Sequence, residues 1–252
     1  MKKTFKLISI ISILSLFLIY FTIGNIKIKQ RREKIMCNKL EVTVLDSSLY
    51  NFITKSDIIK YIDEKYDKYK SLNIDSIDLK KIEDLINKKG GVKNSEVYTT
   101  LDGSLHIKVQ QRKPILRFIN KGEDLYASSD NTLFLSKKTF TSHILVVTGK
   151  NPSNTSNPRE KKWLSDIIEL ANFINSNKIW KQNIVQISAE ENGNITIIPR
   201  KGKEKFIFGY PNNIKEKFEL MELYYTSIIP EKGEGAYSSV NVKYNNQIIC
   251  KK

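Results

Sequence analysis

The chain reads as an α+β protein: an N-terminal transmembrane helix, a small β-α-α-β-β domain, then a mainly antiparallel β domain with flanking helices. Three observations predict this. Residues 7–26 carry no charge at all. Short runs of alternating apolar residues recur downstream, separated by Gly-, Asn- and Asp-bearing turns. Between them lie stretches with apolar residues three and four apart, the spacing of one helix face.

The first element is LISIISILSLFLIYFTIGNI, apolar on all sides. Twenty residues at 1.5 Å each span roughly the 30 Å hydrocarbon core of a bilayer. Ser9, Ser12 and Ser15 can bond back to their own helix, so they do not oppose insertion. The run is long for a signal-peptide core, and Thr22-Ile23-Gly24 is a poor cleavage site, so a retained anchor is expected. Lys2, Lys3 and Lys6 precede it; Lys27, Lys29, Arg31, Arg32 and Lys34 follow. Counted alone, these flanks favour a cytoplasmic C-terminal side, although long domains cross largely regardless of charge.

The net charge of +15 is spread thinly. The segment up to Met36 holds +7 and the remaining chain +8, with no dense cluster. Only six residues are Arg, the side chain best suited to bidentate phosphate and base recognition. Nucleic-acid binding is therefore not expected. Cys37 and Cys250 form neither a CxxC nor a Cys/His pattern. They read as two unpaired thiols, with a Cys37–Cys250 bridge in an oxidising compartment as the alternative.

Leu40, Val42 and Val44 alternate as a strand. Thr54 and Asp57 form a capping-box pattern, with Ile53 and Ile58 spaced as a hydrophobic staple, and Ile58, Ile59, Ile62 and Tyr66 continue a helical face. Leu79, Ile82, Leu85 and Ile86 mark a second helix that Gly90-Gly91 stops. Residues 92–117, VKNSEVYTTLDGSLHIKVQQRKPILR, follow as two alternating runs joined by Asp102-Gly103. They predict a hairpin with a two-residue type I′ turn. Pro114 lacks an amide donor and interrupts pairing, marking a joint between two domains.

Beyond it, residues 115–119 and 125–127 are short apolar runs around Lys121-Gly122. Residues 128–131 read as a turn, and 144–148 as a buried strand ending at Gly149. Asn157-Pro158 opens a helix carrying Trp163, Ile167, Ile168, Ala171 and Ile174. A meander follows: Val185 and Ile187, the Asn192-Gly193 turn, residues 195–198, the Lys201-Gly202 turn, then Phe206 and Phe208. Asn213 caps a helix with Ile214, Phe218, Met221, Leu223, Tyr224 and Ile228, stopped before Pro230. Residues 237–244, YSSVNVKY, form the last long strand, and a short run at 247–250 ends the pattern.

Residues 92–117 resemble the FtsQ/DivIB family of bacterial cell-division proteins: Glu96-Val97-Tyr98, Asp102-Gly103-Ser104-Leu105, then I-x-V-x-Q-R-x-P-I-x-R from Ile107 to Arg117. Phe52, Thr54, Asp57 and Ile58 match the family's helix start. Gly209, a Lys-rich helix and VNVKY-x-x-Q-I-I match its C-terminal end. Between these points the chain departs from the pattern, with a Ser-rich turn for Asp-x-x-Gly and Ser136 near an expected Pro. The resemblance implies a POTRA domain at 37–113 and an FtsQ-like β domain at 114–252, after a cytoplasmic N-terminus (1–6), membrane helix (7–26) and basic linker (27–36). It places the bulk of the chain on the periplasmic side, at the division septum.

No catalytic constellation accompanies this. His106 and His143 sit in no HExxH, and there is no GxSxG, Walker A or GxGxxG motif. Glu190-Glu191 read as a solvated hairpin tip. No cofactor or metal is expected, and the protein is not expected to be an enzyme. A sheet edge, by contrast, offers unpaired N–H and C=O groups to another chain. The resemblance carries partner binding onto Tyr237, Val240, Val242, Lys243 and Tyr244, with FtsB-/FtsL-like bitopic proteins and the septal peptidoglycan synthase complex as partners. Strand alternation also allows Val240 and Val242 simply to fill the core. Two readings stand beside this: a membrane-anchored cell-wall enzyme or its regulator, and a POTRA-bearing outer-membrane component, the latter opposed by the lack of barrel strands.

Overall fold

The computed structural model describes residues 2–119, 124–135, 141–152 and 156–252. The expected Lys121-Gly122 turn and Ser136 lie outside these residues. Helix α1 (Lys2–Arg32) contains the apolar run and a 19-residue membrane-length window, Ser12–Gln30, none of it buried in the protein. Apolar side chains with no protein partner need a lipid solvent, and a helix satisfies its own backbone there. The helix continues to Arg32, so most of residues 27–36, expected as a linker, is helical.

Residues 1–49 and 53–111 form one compact unit, and residues 50–52 and 112–252 another. The first contains β1 (Lys39–Val44), α2 (Lys55–Lys65), a 3-10 turn at Asp67–Ser71, α3 (Leu79–Asn87), β2 (Val92–Thr99) and β3 (Ser104–Gln111). This is the predicted β-α-α-β-β order. Its sheet runs β1-β3-β2, with β1 parallel and β2 antiparallel to β3. The capping box forms: Thr54 accepts from the Asp57 amide, and Asp57 accepts from the Thr54 amide at 2.8 Å. Ile58, Ile62, Ile82 and Ile86 pack with Val42, Leu105, Ile107 and Val109 as a core closed to solvent.

The predicted type I′ turn is a correction. Gly103 has φ +85°, but Asp102 does not take a positive φ. Gly103 N–H donates to Thr100 O and Thr100 N–H to Ser104 O, which closes a three-residue loop. The hydroxyls of Thr100 and Ser104 hold the Asp102 carboxyl down at about 2. A side chain that accepts from its own turn favours this wider loop over a two-residue one. The Asn192-Gly193 turn repeats it, with Gly193 at φ +88° and Glu190 N–H donating to Asn194 O.

The second unit is a nine-stranded mixed sheet. Its strands are β4 (Pro114–Phe118), β5 (Leu125–Ser128), β6 (Leu133–Leu135), β7 (Leu145–Gly149), β8 (Ile184–Ala189), β9 (Ile195–Pro199), β10 (Lys205–Gly209), β11 (Ser239–Asn241) and β12 (Ile249–Lys251). The order is β12-β11-β10-β9-β8-β7-β4-β5-β6. Strand pairs β4/β7, β7/β8 and β10/β11 are parallel, and the five others described are antiparallel. Pro114 begins β4 in a different sheet from β3, as its missing donor requires.

Helices α4 (Pro158–Ser176), α5 (Lys178–Asn183) and α6 (Ile214–Leu223) supply the apolar partners of this sheet. Asn157 caps α4 by accepting from Arg159 N–H, with Pro158 in its first turn. Trp163 is buried and donates its indole N–H to Gly193 O at 2.9 Å, tying α4 to the β8–β9 turn. Asn213 precedes α6 but sits at φ +48° and makes no side-chain cap, contrary to expectation. Nor does the helix stop before Pro230. A π-turn at Tyr224–Ile228 leads into α7 (Ile229–Lys232), which contains the proline. The widened turn lets Ile229 N–H reach back to Tyr224 O and makes room for a ring that an ordinary α-turn would clash with.

Candidate partner-binding edge

Strand β11 is not the edge that residues 237–244 predict. The final residues return as β12 and pair with it antiparallel: Ser239 opposite Lys251, Val240 opposite Cys250, Asn241 opposite Ile249. The regular part of β11 is three residues long, and Tyr237 and Tyr244 lie outside it. The signal in the sequence was the Ile248-Ile249 pair after Asn245-Asn246. Asn246 takes φ +56°, which reverses the chain within a few residues.

Backbone bonding identifies the free groups. Val242 N–H donates to Ile207 O and Lys205 N–H to Ser238 O, so the even-numbered strand residues bond toward β10, while just before the strand Ser238 N–H donates to Lys251 O. Ser239 and Asn241 therefore bond toward β12, which turns Lys251 and Ile249 inward and leaves the N–H and C=O of Cys250 pointing outward.

Side chains divide similarly. Val240 and Val242 are fully buried with Phe206, Phe208 and Tyr224, so these two predicted contact residues fill the core. Tyr237 is half-buried against the same cluster. Tyr244 is 50% exposed, as is Ile249 on the neighbouring strand. Lys243 is exposed, its stem lies against Gly209, and its Nζ stands 5.9 Å from the Tyr244 ring centroid. The surface available to another chain is thus Lys243, Tyr244, Ile249 and the outer backbone of β12.

A buried lysine lies behind this surface. Lys217, 4% exposed, donates from Nζ to Tyr210 O at 2.8 Å and Asn212 Oδ1 at 3.0 Å, and lies 4.8 Å from the Phe208 ring centroid. Burial, then the Lys243 charge, lower its pKa to about 8. It fastens the loop after β10 to α6, and the sequence showed it only as one of two lysines on that helix. The adjacent Tyr225 hydroxyl donates to the buried Glu204 at 2.9 Å, and its pKa is raised first by burial and then by that carboxylate.

The remaining chemistry-bearing residues do not converge. His106 stacks on Tyr98 at 4.9 Å and contacts the Thr100 hydroxyl at 3.0 Å, in the first unit. His143 belongs to the second unit, beside Lys181 and Arg200. Glu190 accepts from Asn192 Nδ2 at the exposed hairpin tip. Among the described residues there is no cluster of three metal-ligating side chains. Both cysteines are free thiols, and burial raises both pKa values.

A membrane-length helix, a β-α-α-β-β unit and a strand-rich unit with an open C-terminal edge together describe a membrane-anchored protein with two folded units. Residues 35–110 match the POTRA-like domain model, and residues 113–251 match the FtsQ/DivIB, C-terminal related model. The chain belongs to the FtsQ/DivIB family, a non-enzymatic scaffold family of cell division. It is a single-pass membrane protein. A comparison with curated proteins finds no match.

Proposed function

We propose that the protein is a bitopic divisome scaffold that captures FtsB-/FtsL-like membrane proteins on the β12 edge and so helps control septal peptidoglycan synthesis. Its N-terminus lies in the cytoplasm and both folded units lie on the periplasmic side at the septum. Domain limits of 7–26, 37–113 and 114–252 serve this division of labour: an anchor, a targeting unit and a docking unit. The observation that carries the reading is the free outer backbone of β12 beside half-exposed Tyr244 and Ile249. A partner strand pairs with the backbone, and its apolar side chains cover the two exposed rims.

Anchoring both partners in one membrane raises their effective concentration, so a modest strand-pairing affinity suffices. Of the residues carried over from the family, Lys243 and Tyr244 are the ones a partner touches. Tyr237, Val240 and Val242 support the strand from beneath.

The test is a binding titration of the full chain with an FtsB-/FtsL-like partner. Tyr244→Asp weakens capture at least tenfold with the thermal midpoint unchanged. Cys250→Pro removes the outward N–H and weakens it as well, since an edge strand tolerates proline where the donor faces solvent. Unchanged capture by both variants would place the docking surface elsewhere.

A further inference from the structure

Strands β10, β11 and β12 arrange their side chains in rows that run across the sheet to its open edge. Phe206, Val240 and Cys250 stand opposite one another and pack into the core. Successive side chains of a strand point to opposite faces, so the flanking residues lie on the face away from that core. Lys205, Ser239 and Lys251 make one row there, and Ile207, Asn241 and Ile249 make the next. Lys205, Ile207, Ile249 and Lys251 are all exposed.

The lysine row carries charge that the protein does not neutralise. Among the described residues neither Lys205 nor Lys251 has an ion-pair partner. Glu204, next in sequence to Lys205, is buried and accepts from the Tyr225 hydroxyl. Residues 237–252 contain three lysines and no acid. With strands about 4.8 Å apart, Lys251 stands on the edge strand itself and Lys205 about 10 Å behind it in the same row.

We infer that the strand captured on β12 carries an acidic residue beside Lys251 and, two positions away, an apolar residue beside Ile249. This rests on the edge-pairing reading proposed above and adds the chemistry of the partner. The outward N–H and C=O of Cys250 take both backbone bonds of one residue of the incoming strand. The residues before and after that one then lie alongside Ile249 and Lys251, on the face away from the core. An acid beside Lys251 enters the field of two unpaired ammonium groups, whereas a basic strand meets like charge. A lysine on an edge strand also discourages unwanted pairing. Here the same side chain rejects other strands and retains an acidic one, so it sets specificity as well as solubility.

The experiment is a binding titration of the full chain with an FtsB-/FtsL-like partner at about 50 and about 500 mM NaCl, since salt screens exposed charges. Capture weakens at least threefold at the higher salt. At the lower salt Lys251→Glu weakens capture at least fivefold, and one acid-to-lysine substitution in the partner restores it to within twofold. Lys215→Glu makes the same change of charge on α6 and alters capture less than twofold. Unchanged thermal midpoints verify that the variants fold. Cys250→Pro separates the two readings. Capture unchanged in Cys250→Pro overturns the docking edge and this inference with it. Capture weakened by Cys250→Pro but unchanged or tightened by Lys251→Glu overturns the acidic strand alone and leaves Lys251 as a guard of the edge. A Lys215→Glu loss as large as that of Lys251→Glu also overturns it, because net charge would then be the cause.

Discussion

Lys217 shows how a single buried side chain can shape the pH response of the second unit. In the unfolded chain its ammonium keeps a proton up to its ordinary pKa, whereas in the fold burial lowers that to about 8. Between about pH 8 and 10.5 the unfolded state therefore binds more protons, and stability rises with pH. Below pH 8 both states are charged and the burial cost is fully present. The rise is on the order of 1–3 kcal/mol. Urea unfolding of the full chain at pH 7.5 and pH 10 should show it, and Lys217→Met should flatten it. Equal rises in the two proteins would assign the effect to other groups. Such a residue is illegible in sequence, where it shares its helix with Lys215 and is expected to face water. Tyr244 was named in the sequence by the VNVKY pattern, whereas its exposure beside Ile249 depends on a return strand of only three residues.

Local patterns decided most elements correctly. Capping is a short-range event, so Thr54 with Asp57, and Asn157 with Pro158, could be read directly and formed as read. Thr54→Ala removes the acceptor for the Asp57 amide and should cost about 1 kcal/mol in urea unfolding. No change would mean that packing alone holds the start of α2. Turns were harder. Asp102-Gly103 and Asn192-Gly193 marked the hairpins, but loop width depended on side-chain bonds such as Asp102 to Ser104. The same limit applied at Pro230, where a π-turn accommodates a ring that propensity alone treats as a stop. Gly193→Ala would set a methyl 3.1 Å from Trp163 Cδ1 at a positive φ, and should lower the thermal midpoint by several degrees. An unchanged midpoint would show that the turn is free to move off Trp163.

At the scale of the molecule, membrane helix, β-α-α-β-β unit and strand-rich unit were all readable, because each has its own hydrophobic period. Sheet order was not. Which strand ends a nine-stranded sheet depends on long-range pairing, and residues 247–250 were too short to predict that β12 covers β11. The edge proposed for docking is therefore β12 rather than β11. Truncation after Asn246 should remove β12, expose β11 and abolish partner capture, yet leave the helix in the membrane. Capture that survives the truncation would assign docking to another surface.

The division role is tested most directly by microscopy of a C-terminal fusion to a red fluorescent protein that matures outside the cytoplasm, with protease access to the tag measured in spheroplasts. Fluorescence concentrated at the constricting mid-cell, with an accessible tag, is the predicted result. Uniform peripheral fluorescence would contradict the septal role, and a protected tag would contradict the orientation.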